Sequence, residues 1–348
     1  MNYLLRKSRY GILVMLGVII VVFFLFQGLG DPARLVMGQR ADAATQANIR
    51  KELALDEPVW KQFFLYLNDV SPISFYSRTD YDQKKLNGIF LGSETGLVLK
   101  IPYLRKSYQT RRDVLDALME AIPGTFILAC TAIIFATLFG ILLGVLAAVR
   151  KGTWMDSSAV FASILGISAP SFFIGIIMAY IFGFLASDLT GLHMTGSLYE
   201  TDPFTGRHIE LKNLILPAIT LGIRPLAIIT QLTRGAMLDA LSQDYIRTAY
   251  AKGLSKSRII WRHALPNAFN PVLTAITGWF AELLAGAFFV EYIFGWKGIG
   301  KLTVDALEKL DFPIVMGSVL MTSFIFILIN ILADFLYSRI DPRIKLAS

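Results

Sequence analysis

The stretch Asp244-Tyr245-Ile246-Arg247-Thr248-Ala249-Tyr250-Ala251-Lys252-Gly253-Leu254-Ser255, running on to His263-Ala264-Leu265-Pro266, is the longest polar stretch in the C-terminal half of the chain. It separates two apolar segments long enough to cross a bilayer, for which about 20 residues at 1.5 Å each suffice. Read physically, Ser242 caps a helix whose first turn carries Asp244, where a negative charge suits the helix dipole. That helix runs through Lys252, and Gly253 takes the left-handed conformation that ends it. Ser255 caps a second helix, which stops near Leu265 because Pro266 disfavours helical geometry before it. Ala249, Ala251 and Gly253 are small, so a partner surface could come close to the turn. Two readings stand at this point: an amphipathic loop lying on the membrane, or an element offered to another protein.

Composition sets the class. Of 348 residues 55% are hydrophobic and only 17% charged, against about 25% charged in soluble domains. The net charge of +7 does not point to nucleic acid, because the basic residues sit mostly beside apolar runs, where they orient helices. Cys130 is the single cysteine and falls inside an apolar run, which excludes an internal disulfide and a cysteine metal site. His193, His208 and His263 are far apart in sequence, and no metal-ligand spacing is present.

Outward from the polar stretch, the apolar runs define six expected spans with both ends cytoplasmic. Arg6, Lys7 and Arg9 precede the first, Tyr10 to Leu29, which is too long for a signal-peptide core and is read as a retained helix. The second runs from Ile122 to Val149 and ends at Arg150-Lys151; its Gly140 and Gly144 form a G-x-x-x-G read as intramolecular packing. The third, Ser158 to Ala186, contains Pro170, and the fourth, Leu214 to Leu232, holds Pro217, Pro225 and Arg224. The fifth runs from Pro271 to Phe294 and the sixth from Pro313 to Tyr337. Arg234, Arg247, Lys252, Lys256, Arg258 and Arg262 place the loop between the fourth and fifth in the cytoplasm.

The expected organisation is therefore residues 1–30 as N-terminal end and first helix, and 31–119 as an extracytoplasmic cap. Residues 120–338 form a core containing the cytoplasmic loop 234–270, and 339–348 a cytoplasmic tail. In the cap, Ala47 to Leu55 and Val59 to Leu67 have the spacing of short amphipathic helices broken at Asp56-Glu57-Pro58, whereas Ser71 to Arg112 shows no period.

Three features invite chemical readings. Gly295-Trp296-Lys297-Gly298-Ile299-Gly300-Lys301 matches the start of a phosphate loop, but Leu302 stands where Ser or Thr would hold magnesium and no strand precedes it; a glycine-rich hairpin is the reading preferred. Glu282 and Glu291 fall on opposite sides of one expected helix, which does not suit a proton relay, and Glu291 is placed at the outer interface. Arg224 is either a structural or snorkelling cation or a contact in a substrate pathway.

The polar stretch resembles the cytoplasmic loop signature of permease subunits of bacterial ABC importers, Glu-Ala-Ala-x-x-x-Gly ending in Ile-x-Leu-Pro. Thr248 and Ala249 fill the alanine places, Gly253 the glycine and Leu265-Pro266 the end; Arg247 in place of Glu and His263 in place of Ile are similar to the peptide-importer branch. Gly30-Asp31-Pro32-Ala33-Arg34, Leu55-Asp56-Glu57-Pro58, Pro123-Gly124-Thr125, Pro170-Ser171-Phe172, Leu214-Ile215-Leu216-Pro217, Val290-Glu291-Tyr292-Ile293-Phe294 and Asp311-Phe312-Pro313 resemble, in the same order, landmarks of the oligopeptide/dipeptide/nickel permease family. The segment from Asn68 to Arg112 is longer than is usual there, and Arg224 lies where the family seldom has a charge.

The resemblance implies an all-α membrane protein with six transmembrane helices, a type I ABC importer permease core and a sizeable extracytoplasmic loop after the first helix. It implies a bacterial inner-membrane subunit that pairs with a second permease, two cytoplasmic ATPases and an external solute-binding protein. The cargo it implies is a di- or oligopeptide, with nickel or another small solute on the same scaffold as the alternative. Asp244, Tyr245, Arg247, Thr248, Ala249, Lys252, Gly253, Leu254 and Ser255 are then the ATPase-docking element, a helix-in-groove contact. Arg224 and Glu282 are candidates for the pathway. No catalytic residue, metal or cofactor is expected in this chain, ATP and magnesium belonging to the partner ATPases. An ion-coupled secondary transporter would need inverted repeats and facing membrane acids, and neither is visible.

Overall fold

The structure is a computed structural model that describes residues 2–28, 55–202 and 206–340. The landmark Gly30 to Arg34, nearly all of the helix expected over Ala47 to Leu55, and the last eight residues lie outside the described ones. The chain divides into two compact units. One comprises Met1–Ala121 with Leu302–Phe324, the other Ile122–Lys301 with Ile325–Ala347.

The first unit begins with α1 (Asn2–Gly28), an apolar helix with little of its surface covered by protein. Its Phe23 packs on Phe63 and Tyr66 of α2 (Val59–Val70), the amphipathic helix expected over Val59 to Leu67. Beyond α2 the segment without a sequence period is a small α/β layer. Strand β1 (Ile73–Ser77) is followed by α3 (Arg78–Lys84), β2 (Gly88–Gly92) and β3 (Thr95–Lys100), and the strands form an antiparallel sheet in the order β1-β3-β2. One face of the sheet packs Tyr76, Val98 and Phe90 with Tyr81 of α3 and Leu86.

A buried charge cluster holds this layer to α2. The Asp69 carboxylate receives Lys84 Nζ at 2.6 Å, Arg105 Nε at 3.1 Å and the Tyr76 hydroxyl at 2.7 Å. Burial opposes ionisation of Asp69, but Arg105 and Lys84 outweigh it and hold the carboxyl below its ordinary value. Lys100, whose ammonium donates to the carbonyls of Asp69 and Ser71, is pushed down to about 8 by burial against the pull of Asp69. A second buried carboxylate, Asp311, accepts from the Ser107 hydroxyl and the backbone N–H of Tyr108, tying that loop to the start of the last helix.

The second unit holds the core helices. The helix α4 (Val114–Val149) ends in it, and α5 (Trp154–Ser168) meets α6 (Ser171–Met178) at an angle of 106° across Ala169-Pro170. The expected single span from Ser158 to Ala186 is thus a bent pair, continued by a π-helical turn from Ala179 to Leu185. After the hairpin β4 (Tyr199–Asp202) and β5 (Gly206–Ile209), α7 (Lys212–Leu241) packs against α5 and α6, carrying Pro217 and Pro225 inside it. The glycine pair packs within the chain as expected: a Cβ on Gly140 would meet Ile229, and one on Gly144 would meet Thr233 and the carbonyl of Thr230. At the far end of the pair, Arg234 Nε and Nη2 clasp the Asp156 carboxylate at 2.5 and 2.9 Å, joining α7 to α5.

After α7 come α8 (Asp244–Ala251), α9 (Lys256–Ile259), α10 (Leu265–Gly286), α11 (Phe288–Phe294), α12 (Ile299–Glu308) and α13 (Phe312–Ile340). The helix from Lys256 does not stop near Leu265. A π-helical turn over Ile260–Ala264 carries it into α10. Pro266 follows closely on that turn, whose wider winding accommodates the proline within a continuous helix. The fifth span likewise breaks at Ala287, so Phe288–Phe294 is a separate short helix. Among the described residues five helices are long and apolar enough to cross a membrane, or six if the bent pair counts as one span.

Asp69→Ala should leave the Arg105 and Lys84 cations without their anion and weaken this layer by about 3 kcal/mol. Limited proteolysis between Ser71 and Arg112 should speed up in the variant, and unchanged cleavage would contradict the role given to the cluster.

Candidate coupling site

The polar stretch folds onto the ends of α4 and α7 that carry Val145, Ala148, Met237 and Ala240. Ser242 is not the cap of α8: its hydroxyl bonds the carbonyl of Asp239 and it closes α7, so the extended Gln243 takes the cap position. Asp244 stands in the first turn, as the dipole favours. Ile246 and Ala249 are buried, 2% and 6% exposed, in a cluster with Val145 and Ala148 of α4, Met237 and Ala240 of α7, and Ile259 of α9. Ala249 was expected to leave room for a partner. Its small side chain instead lets α8 lie close against its own core.

The C-terminal end of α8 follows from Gly253. Its φ is +73°, the N–H of Gly253 bonds the carbonyl of Tyr250 at 2.9 Å, and the N–H of Leu254 reaches back to Ala249 at 3.3 Å. These are the two bonds of a Schellman end, which satisfy carbonyls the helix would otherwise orphan. Leu254 then packs on the same cluster. The other side of α8 is exposed: Tyr245 at 40%, Tyr250 at 50%, and Asp244, Arg247, Thr248 and Lys252 with Gly253 and Ser255 beyond. Asp244 and Arg247 lie 3.4 Å apart, but both are so exposed that the pair adds little to stability. What α8 offers is an aromatic and basic surface on a short helix whose opposite side is locked to the core.

Arg224 and Glu282 are both exposed in the single chain, on helices that pack against each other. The Arg224 guanidinium lies 5.6 Å from the centroid of the Trp279 ring. Trp279 and Glu282 are i and i+3 on α10, so the structure brings Arg224 to the side of α10 that carries Glu282.

Glu291, expected at the outer interface, is instead fully buried under the glycine hairpin, past the end of the fifth candidate span. The Thr125 hydroxyl donates to its carboxylate at 2.7 Å and accepts from the N–H of Ile299 at 2.9 Å, while the N–H of Lys301 donates to Glu291 at 3.1 Å. The glycines of Gly295 to Lys301 serve this packing: a Cβ on Gly298 or Gly300 would run into the Glu291 carboxylate, and one on Gly124 into the carbonyl of Lys297. Trp296 is buried and donates from Nε1 to the carbonyl of Gly124 at 2.9 Å. Burial raises the Glu291 carboxyl from 4.5 to about 7, against the hydrogen bonds from Thr125, Lys301 and Gly300. Sequence reasoning had both partners in hand, in Pro123-Gly124-Thr125 and Val290 to Phe294, without a reason to join them.

The comparisons with known proteins cover the whole chain. The family described as "Binding-protein-dependent transport system inner membrane component" matches residues 140–346, and its N-terminal counterpart matches residues 1–82. The dipeptide transport system permease protein DppB of Alkalihalophilus pseudofirmus is 33% identical over 99% of this chain and 99% of its own. The probable D,D-dipeptide transport system permease protein DdpB of Escherichia coli K12 is 35% identical over 98% and 97%. The glutathione transport system permease protein GsiC of Salmonella paratyphi A is 35% identical over 99% of each.

A carboxyl whose folded value lies above its unfolded one holds its proton more tightly in the folded chain, so its contribution to stability falls as pH rises from 4.5 to about 7 and is level above. The melting temperature in detergent should therefore drop by a few degrees more between about pH 5 and pH 8 in the parent than in Glu291→Gln. Equal slopes would contradict the buried, uncompensated state of Glu291.

Proposed function

Because the chain belongs to the family of binding-protein-dependent transport system inner membrane components, we propose that it is the peptide-pathway permease of an ATP-driven importer. It is a multi-pass inner-membrane protein, as the family and its apolar helices have it. Relatives named for dipeptides and glutathione, similar along their full lengths, support a peptide cargo. The observation that carries the reading is α8: buried through Ile246 and Ala249, ended by Gly253, and exposed through Tyr245, Arg247, Thr248 and Lys252.

In this account the chain pairs with a second, similar permease, receives cargo from a solute-binding protein and docks cytoplasmic ATPases through α8, with both termini in the cytoplasm. ATP and magnesium are handled by those partners; this chain supplies the pathway and the handle. Closure of the ATPases pushes on the exposed side of α8. Because the other side is packed on α4, α7 and α9, the push reaches the helices that bear Arg224 and Glu282. A small peptide carries a carboxylate and an ammonium, and these two side chains are their complements along the pathway.

The chain expressed with its cognate partners should restore ATP-dependent dipeptide uptake. Arg224→Leu should lower uptake of peptides with a free C-terminus by roughly tenfold, the scale of one lost charge-assisted contact, and that of C-terminally amidated peptides much less. Equal kinetics for parent and variant on both would return Arg224 to a structural role.

A further inference from the structure

The sheet of the first unit has a second face. Side chains alternate along strands, so those opposite the packed Tyr76, Val98 and Phe90 form their own surface. The register places Ile73 beside Leu99 beside Ile89, and Phe75 beside Leu97 beside Leu91. Ile73, Phe75, Ile89 and Leu91 are each more than half exposed, and Leu99 nearly so. The six side chains leave on the order of 600 Å² of apolar surface uncovered, at the upper end of what soluble monomers show.

The character of the face separates two kinds of occupant. Protein interfaces concentrate Tyr, Trp, Phe, Met and Arg at their centres, and of the six only Phe75 is one of these. The face is aliphatic with one phenylalanine, the composition of a lipid contact.

Its surroundings point the same way, because α2, which packs on β1, and α1, which packs on α2, both expose apolar side chains. On α1, Val21, Phe24 and Leu25 are more than half exposed, as a spanning helix presents to hydrocarbon. The Phe24 ring stacks on Phe63 of α2 at 6.0 Å, and Phe63 meets Phe64 at 5.8 Å. Phe64 and Trp60, one turn apart on α2, are exposed by 60% and 65%. Leu65 and Asn68 border one hollow with Phe75, whose other wall carries Asp80, Lys84 and Lys106, and the Asn68 side chain bonds both the N–H and the carbonyl of Phe75 at 2.9 Å. Exposed apolar side chains thus stand on α1, on α2 and on this face of the sheet, with Asn68 joining α2 to β1.

We propose that this face of the sheet rests on the bilayer, inserted shallowly into the leaflet where α1 ends. A shallow seat suits a sheet: laid face down, its side chains enter the acyl boundary while its edge N–H and C=O groups stay at the headgroups, as an open edge in hydrocarbon would not. Asn68 satisfies the backbone of Phe75 on the β1 edge. Trp60 is an interfacial anchor on the approach. The layer is then held to the membrane independently of any protein partner, at the end of α1.

The test uses the full chain with its cognate partners in lipid nanodiscs, in a Cys130→Ala background. A fluorophore is attached in turn at Phe75→Cys and Leu91→Cys on the face, at Leu25→Cys on α1, and at Asp82→Cys on α3, which packs against the other face. Lipids spin-labelled near the headgroup should quench the Phe75, Leu91 and Leu25 probes roughly twofold and leave the Asp82 probe unchanged. Quenching at Leu25 without quenching at Phe75 and Leu91 overturns the proposal while leaving α1 a span. If the face probes respond only when a solute-binding protein is added, the surface belongs to that protein. No quenching at Leu25 removes the spanning reading of α1 and the proposal with it.

Discussion

The close approach of α4 and α7 at Gly140 and Gly144 sets the geometry on which the seat of α8 depends. With no Cβ at either position, the backbone of α4 lies against Ile229, Thr233 and the carbonyls of Leu226 and Thr230. Helices in lipid gain little from hydrophobic transfer, so their association rests on this sort of contact. The seam continues into Val145, Ala148, Met237 and Ala240, and these four make the floor on which Ile246 and Ala249 seat α8. Arg234 and Asp156 add α5 to the same end. A force applied to α8 therefore meets a packed block of helices and not a loose loop.

The opposite end of α4 is built on a different interaction. Glu291 and Thr125 lie far apart in sequence, and one hydrogen bond between them, with the backbone donors of Ile299 and Lys301, closes the glycine turn over the start of the core helices. The carboxylate faces hydroxyl and amide donors in place of a cation, so its charge is costly and its proton is held into the neutral range. The α8 end is thus fixed by shape and an ion pair, and the Thr125 end by a buried acid held by hydroxyl and amide donors.

The long helices were legible because span length and basic flanks are strong signals, and Gly253 was legible because a glycine after a capped helix has one common use. What was not legible depended on neighbours. Pro170 marks where the third span breaks, but a proline in an apolar run does not give the size of the bend, 106° between α5 and the helix that follows. The segment after Ser71 reads as patternless because both faces of its sheet are apolar: Phe75 and Leu91 on one, Tyr76 and Phe90 on the other. Alternation of apolar and polar residues, the usual strand signal, is therefore weak there. Ser242 was a plausible cap whose hydroxyl is occupied by Asp239, and Pro266 a plausible stop that a π-turn accommodates. Ala249 was read outward because a small residue permits approach from either side, and only the packing shows which side uses it.

The account stands on α8 being the surface through which ATP-driven motion enters this chain. The direct measurement places a photo-crosslinking amino acid at Arg247 on the exposed side of α8 and, separately, at Asp82 in the first unit, in the complex with its cognate ATPases. Capture of an ATPase subunit from Arg247 and none from Asp82 is the result predicted, with capture lost when Gly253→Val strains the left-handed end of the helix. Capture of lipid alone from Arg247, with the ATPase present and active, would contradict it and return the stretch to a loop on the membrane.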